Sequence, residues 1–258
     1  MPPPLTLRRL LAPLLLPLRN RIRTGPNQGR WWSLASGRYL KGTVEQVRMD
    51  LLERVIPEGS VVWDVGAHHG YVSLHASRCV GPSGVVYAFE PSPYNLEYLR
   101  RHLAWNATEN VDLKALALAG EKGTATLGET GSSRTFRLGT KGVSVETACL
   151  PSLLSDEGLL SPDVLKLDVE GAEGEVLEAA VGHLKPSALI LVAIHSMDNY
   201  RRVRRTLEGA AFTVVDSAGT RRLKKDEPGA WSDDPDLLAY GRAAVDPGDR
   251  VRALLERI

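Results

Sequence analysis

Three acidic motifs and one histidine are the residues of this chain best suited to chemistry. Residues 61–70 read Val-Val-Trp-Asp-Val-Gly-Ala-His-His-Gly: an apolar run ends in Asp64 and opens into a glycine turn. Residues 84–91 read Gly-Val-Val-Tyr-Ala-Phe-Glu-Pro, a second apolar run closed by Glu90. Glycines at 66 and 70 free the backbone where a ligand must lie close, and a carboxylate at position 90 can accept hydrogen bonds from ribose hydroxyls. A hundred residues on, 166–173 read Lys-Leu-Asp-Val-Glu-Gly-Ala-Glu. Three carboxylates so close in sequence (Asp168, Glu170 and Glu173) repel one another unless Lys166, a bound cation, a raised pKa or a hydrogen-bonded substrate offsets the charge. His195 closes the apolar run 189–194, and a histidine there can take or give a proton near neutral pH.

These residues need a scaffold that brings strand ends together, and the hydrophobic pattern supplies one. Predominantly apolar runs at 60–65, 85–89, 163–167 and 188–195 read as buried strands of a parallel sheet. Amphipathic stretches at 43–55, 70–79, 92–106, 173–181 and 198–208 read as the helices between them, with Ser92 as the cap of the third. A further strand is expected over 111–117, and two more at 212–216 and 237–240. From 120 to 145 the pattern changes to short alternating pieces rich in Gly, Ser and Thr, which read as hairpins. A short helix is expected over 150–160. Strands alternating with helices make a doubly wound α/β domain. Ligands bind beyond the carboxyl ends of such strands, and the residues expected there are Asp64, Glu90, Ala117, Asp168 and His195.

The first glycine turn discriminates between cofactors. A dinucleotide fingerprint needs three glycines, because a pyrophosphate must approach a helix N-terminus closely. Residues 66–71 read Gly-Ala-His-His-Gly-Tyr, so the middle and third glycines are missing. A carboxylate at position 64 would repel a pyrophosphate but suits a cationic amino-acid group. The balance favours S-adenosylmethionine over NAD. The expected cofactor-binding residues are Asp64, Gly66, Ala67, His68 and Gly70 from this turn, Glu90, Pro91 and Ser92 from the second motif, and Ala117 from the third strand end.

Composition narrows the class further. The chain has 258 residues and 43% apolar content, enough for one large soluble domain with a substantial core. Its two cysteines, Cys79 and Cys149, make no disulfide framework and have no metal-ligand spacing, which fits a reducing, cytoplasmic setting. No metal site is assigned. Residues 1–42 are basic and leucine-rich, residues 43–245 form the domain, and 246–258 a tail. The leader is too short and too broken by Pro13 and Pro17 to span a bilayer. It reads as a packed or frayed N-terminal arm, with a weak peripheral contact on an anionic membrane as the alternative. The acidic body argues against nucleic acid as a partner, and the arginines at 201–205 read as a solvated helix face.

Asp-Val-Gly-Ala-x-x-Gly at 64–70, Phe-Glu-Pro-Ser-Pro at 89–93, Lys-Leu-Asp-Val-Glu-Gly-Ala-Glu at 166–173 and Ile-His at 194–195 resemble the FkbM-type methyltransferase family in order and spacing. The resemblance spans roughly residues 40–241. It departs at position 68, where His68 stands in place of the family's usual Asn. It implies a Rossmann-like, mostly parallel seven-stranded methyltransferase sheet with a β-rich insertion. It also implies S-adenosyl-L-methionine as methyl donor and a hydroxyl of a sugar, glycolipid or secondary metabolite as acceptor.

A hydroxyl is a poor nucleophile at neutral pH, so a base that accepts its proton is expected. Asp168 and His195 lie on adjacent strand ends in the expected sheet order; either is a candidate base, with Glu170 orienting a small-molecule or glycan acceptor. The acceptor pocket is expected from 120–147 and 221–236. Three other readings stay open at this stage. They are an NAD-dependent oxidoreductase, a metal-dependent methyltransferase with Asp168 and Glu170 as oxygen ligands, and a non-catalytic binding module docked on a membrane.

Overall fold

The computed structural model describes residues 12–129, 136–138, 142–216 and 236–241. The strands, in chain order, begin with β1 (Arg19–Arg21), β2 (Trp31–Ser33), β3 (Val61–Val65), β4 (Val85–Phe89), β5 (Val111–Lys114) and β6 (Ala117–Leu118). They continue with β7 (Gly123–Glu129), β8 (Phe136–Leu138), β9 (Val143–Ala148), β10 (Val164–Leu167), β11 (Leu189–Ala193), β12 (Phe212–Asp216) and β13 (Asp236–Gly241). Seven of them form the central sheet, in the order β12-β13-β11-β10-β3-β4-β5. β13 runs antiparallel to both its neighbours, and the other pairings are parallel. The expected doubly wound, mostly parallel seven-stranded sheet is therefore the observed one.

Alternation along the strands divides the core into two layers. Trp63, Val65, Leu165, Leu167, Ile190 and Val192 point to one face, where the helices Glu173–Ala180 and Met197–Gly209 pack. Val62, Val164, Leu189 and Leu191 point to the other, against the helices Gln46–Val55 and Tyr71–Val80. Successive side chains of a strand point to opposite faces, so a strand covered on both sides must be apolar throughout. Ser92 caps the helix Pro93–Trp105: its hydroxyl accepts from the Asn95 N–H at 3.4 Å, and Pro93 begins the first turn.

One expected strand is two. The run 111–117 does not continue as a single element: β5 ends at Lys114, and Ala117 and Leu118 pair instead with Thr147 and Ala148 of β9. Among the described residues β5 is the sheet's edge, with a neighbour on one side only, so the chain leaves it at the cost of few ladder bonds. β6 then joins the hairpins at 123–148 in a separate four-stranded sheet, ordered β6-β9-β7-β8, which is the expected β-rich insertion. His195 likewise lies two residues beyond the end of its strand, since β11 stops at Ala193.

The described part of the N-terminal arm packs on the domain. Ile22, Trp32 and Tyr39 are buried in the same cluster as Met49, Leu74 and Val86. The Trp32 ring stacks on His102 with centroids 3.6 Å apart. His102 ties three segments together, accepting from the Ser33 N–H at 3.1 Å and donating to the His69 carbonyl at 2.7 Å. The segment Leu34–Lys41 forms 3-10 turns kinked at Ser36, the first capped by the Ser33 hydroxyl. No helix among the described residues is long and apolar enough to cross a membrane. Residues 1–11 of the leader, the charged loop at 221–235 and the tail from 246 lie outside the described residues.

Candidate functional site

A cavity of about 310 Å³ opens at the carboxyl ends of β3, β4 and β10. That volume lies at the lower end of the range for small-molecule sites. The central sheet supplies its floor through Gly66, Glu90 and Asp168; the small sheet contributes Leu118 and Leu127; the N-terminal segment adds Arg38, Tyr39 and Arg48.

The floor is an ion pair between paired strands. Lys166 of β10 lies opposite Asp64 of β3, and Nζ is 3.2 Å from the Asp64 carboxylate. The same ammonium donates to the carbonyls of Val65 and Gly66 at 3.1 and 2.8 Å. The second Asp64 oxygen accepts from the Ser73 hydroxyl at 2.6 Å. Burial alone would lower the Lys166 pKa, but Asp64 and Asp168 outweigh it and raise it, so the ammonium stays charged.

The turn above this pair is shaped by its glycines. Gly66 has φ +77°, and a methyl group there would sit 1.9 Å from the Asp168 carbonyl oxygen. Gly70, at φ +85°, would carry its methyl group 2.3 Å from Leu99. His68 adopts the left-handed region as well, at φ 53°. Asn tolerates that conformation better than most residues, and here histidine holds it. His69 is a buried structural residue, with Nδ1 2.7 Å from the Ser36 hydroxyl and its ring stacked on Tyr98.

Glu90 is almost entirely buried and fixed by the protein. One oxygen accepts from the His68 N–H at 2.7 Å; the other accepts from the Ser92 N–H at 2.8 Å and the Asn95 amide at 3.2 Å. Burial pushes its pKa up to about 7, even though each of these donors lowers it. A carboxylate oxygen has two lone pairs, so the oxygen facing His68 keeps room for one further donor.

The acid cluster is organised by Glu173. This buried carboxylate accepts from the N–H groups of Val169 and Gly171 at 3.1 Å and from the Asn199 amide. It also faces Nδ1 of His195 at 2.8 Å. The other ring nitrogen, Nε2, lies 3.5 Å from Asp168 and 3.6 Å from Glu170. Burial would lower the His195 pKa, but Glu173, Asp168 and Glu170 together push it up to about 9. Asp168 is held down instead: burial raises its pKa, but Lys166, Arg48 and His195 outweigh that. Arg48 reaches it at 3.1 Å and bridges to Glu45 at the same distance. Ligand atoms of Asp168, Glu170 and His195 lie within 4.8 Å of one another, a spacing that could also hold a cation.

Of the residues expected at the site, Gly66, Ala67, His68, Glu90, Pro91, Ala117, Asp168, Glu170 and His195 line the cavity. Asp64, Gly70 and Ser92 do not. Asp64 lies inside β3 beneath the floor, Gly70 packs under Leu99 at the start of a helix, and Ser92 caps the next helix. Sequence reasoning missed Arg38, Tyr39, Glu45, Arg48 and Asn95. The first four precede the sheet by many residues, and no local spacing ties them to it. Tyr39 reaches His68 at 3.4 Å, and burial pushes its hydroxyl pKa up to about 12, so it remains a donor.

Comparison with known proteins adds four matches. Residues 64–214 match the family model described as the methyltransferase FkbM domain. The hexuronic acid methyltransferase AglP of Haloferax volcanii is 28% identical over 193 residues, covering 74% of this chain and 76% of that protein. Among solved structures, the precorrin-6y C5,15-methyltransferase of Geobacter metallireducens aligns at a TM-score of 0.49 and 22% identity, over 78% of this chain and 92% of the other. The FkbM methyltransferase of Methylobacillus flagellatus aligns at 0.48 and 14% identity, over 70% of this chain and 43% of that one.

Proposed function

The chain belongs to the FkbM methyltransferase family, and on that premise we propose that it methylates a hydroxyl group of a sugar, glycolipid or secondary metabolite, with His195 as the base. S-adenosylmethionine, when bound, supplies a methyl group on a sulfonium that leaves as a neutral thioether. The protein's task is then to position the acceptor, exclude water and remove a proton. Gly66 gives a side-chain-free approach to the cavity floor, flanked by the small Ala67 and by His68. Glu90 keeps an open acceptor position for a ribose hydroxyl.

The Glu173–His195 pair carries the choice of a hydroxyl. A carboxylate acceptor is already ionised at neutral pH and needs no base. A hydroxyl gains about two to four powers of ten from one. With Nδ1–H donated to Glu173, the lone pair of neutral His195 sits on Nε2 and faces the cavity. Asp168 is the weaker candidate for this role. Arg48 and Lys166 stabilise its charged form, which makes it a poor proton acceptor. It serves better to hold His195 and a cationic ligand in place, while Glu170 orients the acceptor. The charges around Asp168 are met by Arg48, Lys166 and His195, so this reading invokes no metal ion.

The similarity to a hexuronic acid methyltransferase makes sugars the first acceptors to test. The full chain is incubated with methyl-labelled S-adenosylmethionine and a panel of oligosaccharides, including uronic-acid-terminated ones. Label that survives mild alkali marks a methyl ether and supports the hydroxyl acceptor. Label released by mild alkali marks a methyl ester and contradicts it.

A further inference from the structure

Among the described residues, every cation lining the cavity but one faces a carboxylate. Lys166 lies on Asp64, Arg48 on Asp168 and Glu45, and His195 on Glu173. Arg38 lines the same cavity, yet no acid among the described residues meets it. Its contacts are with its neighbour: Nη2 donates to the Tyr39 hydroxyl at 3.1 Å, and the guanidinium lies 4.6 Å from the Tyr39 ring centre. Its Nε is buried and has no hydrogen-bond partner among the described residues. A buried charged donor left unpaired is costly, and its retention at a cavity wall points to an acceptor that arrives with the ligand.

The guanidinium is also held at a defined place. The 3-10 segment that carries it is tied to the glycine turn through Ser36 and His69 at 2.7 Å, and through Tyr39 and His68 at 3.4 Å. Arg38 therefore stands beside the turn whose Gly66, Ala67 and His68 face the cavity.

We propose that Arg38 is the seat of a carboxylate, and that this carboxylate is the one at the methionine end of S-adenosylmethionine. The inference rests on the methyl donor named above. Its adenosine end has its acceptor in Glu90. Its amino-acid end carries an ammonium and a carboxylate. Acids suited to the ammonium are plentiful, but Glu45, Asp168 and Glu170 would repel the carboxylate unless a cation met it. Arg38 has that capacity open, and a guanidinium matches a carboxylate in geometry as well as charge. An acidic acceptor would bring the same chemistry, so the test must separate the two sources.

Isothermal titration of the full chain with S-adenosylmethionine and with its decarboxylated analogue does so, on the wild type, Arg38→Gln and Arg38→Lys. The expected result is that Arg38→Gln weakens S-adenosylmethionine about 10- to 100-fold, while the analogue keeps its affinity within about twofold and Arg38→Lys falls between. Unchanged binding of S-adenosylmethionine by Arg38→Gln overturns the seat. An equal loss for both probes overturns it too, because it marks a role in folding the wall. Unchanged cofactor binding with a raised KM for a uronic-acid acceptor moves the carboxylate to the acceptor and overturns the cofactor assignment. A wild type that binds neither probe contradicts the methyl donor itself, a result distinct from any effect of Arg38.

Discussion

Glu173 accepts a hydrogen bond from Nδ1 of His195 at 2.8 Å while holding the backbone of Val169 and Gly171. One buried carboxylate thus fixes both the ring of the proposed base and the loop that carries Asp168 and Glu170. Replacing Glu173 with Gln keeps the size and removes the charge. The His195 pKa then falls from about 9 toward its ordinary value of 6.5. The acidic limb of the activity profile moves to lower pH, and the protein loses about 1–3 kcal/mol of stability from the under-satisfied loop donors. A pH–rate profile and a thermal melt of Glu173→Gln check both. An unmoved limb would disconnect the two residues.

As the proposed base, His195 is expected to set the pH dependence of the wild type. Its pKa of about 9 keeps it protonated at neutral pH, so the base form is the minor one there. The ratio kcat/KM therefore rises about tenfold per pH unit below that value and levels off above it. Stability runs the other way. A histidine whose pKa is raised on folding contributes stability that is present below about 6.5 and lost as pH rises through about 9. The gap in melting temperature between wild type and His195→Gln is expected to shrink over that window.

Burial disfavours the charge of Glu90 and pushes its pKa up to about 7. Ribose hydroxyls that donate to it favour the ionised form and lower that pKa. Binding of S-adenosylhomocysteine near pH 7 is expected to release protons, and affinity to increase as pH rises through neutrality. Titration calorimetry in buffers of different ionisation enthalpy measures the release. Proton uptake would mean that the ligand meets Glu90 in its neutral form.

Gly66 separates the glycine turn from the acid loop. A methyl group at this position would lie 1.9 Å from the Asp168 carbonyl, on backbone at φ +77°. Left-handed strain alone costs about 1–3 kcal/mol, and the overlap forces one loop to move. Gly66→Ala is expected to lower the melting temperature and to weaken S-adenosylhomocysteine binding more than tenfold. Wild-type binding in this variant would show that the turn does not shape the cofactor seat.

The parallel core was legible because its strands must be apolar on both faces. The runs 85–89 and 163–167, and the cap at Ser92, follow from periodicity and turn chemistry alone. The acids of the site were legible because they end such runs. The division between Ala117 and β5 was not, since an apolar stretch does not say which of two sheets it joins. Glu173 was visible only as a first-turn acid, and its bond to His195 depends on packing between a helix start and a distant strand end. Arg38 and Arg48 were not legible at all. Arg48 meets Asp168 across 120 residues, and Arg38 is set beside the glycine turn by packing, so neither leaves a periodic trace.

The most direct test of the proposed chemistry is methyl transfer by His195→Gln, measured with S-adenosylhomocysteine affinity on the same preparation. The expected result is a fall in kcat of about two to four powers of ten with cofactor affinity within about twofold of wild type. Full transfer activity in the variant, with affinity unchanged, would contradict His195 as the base.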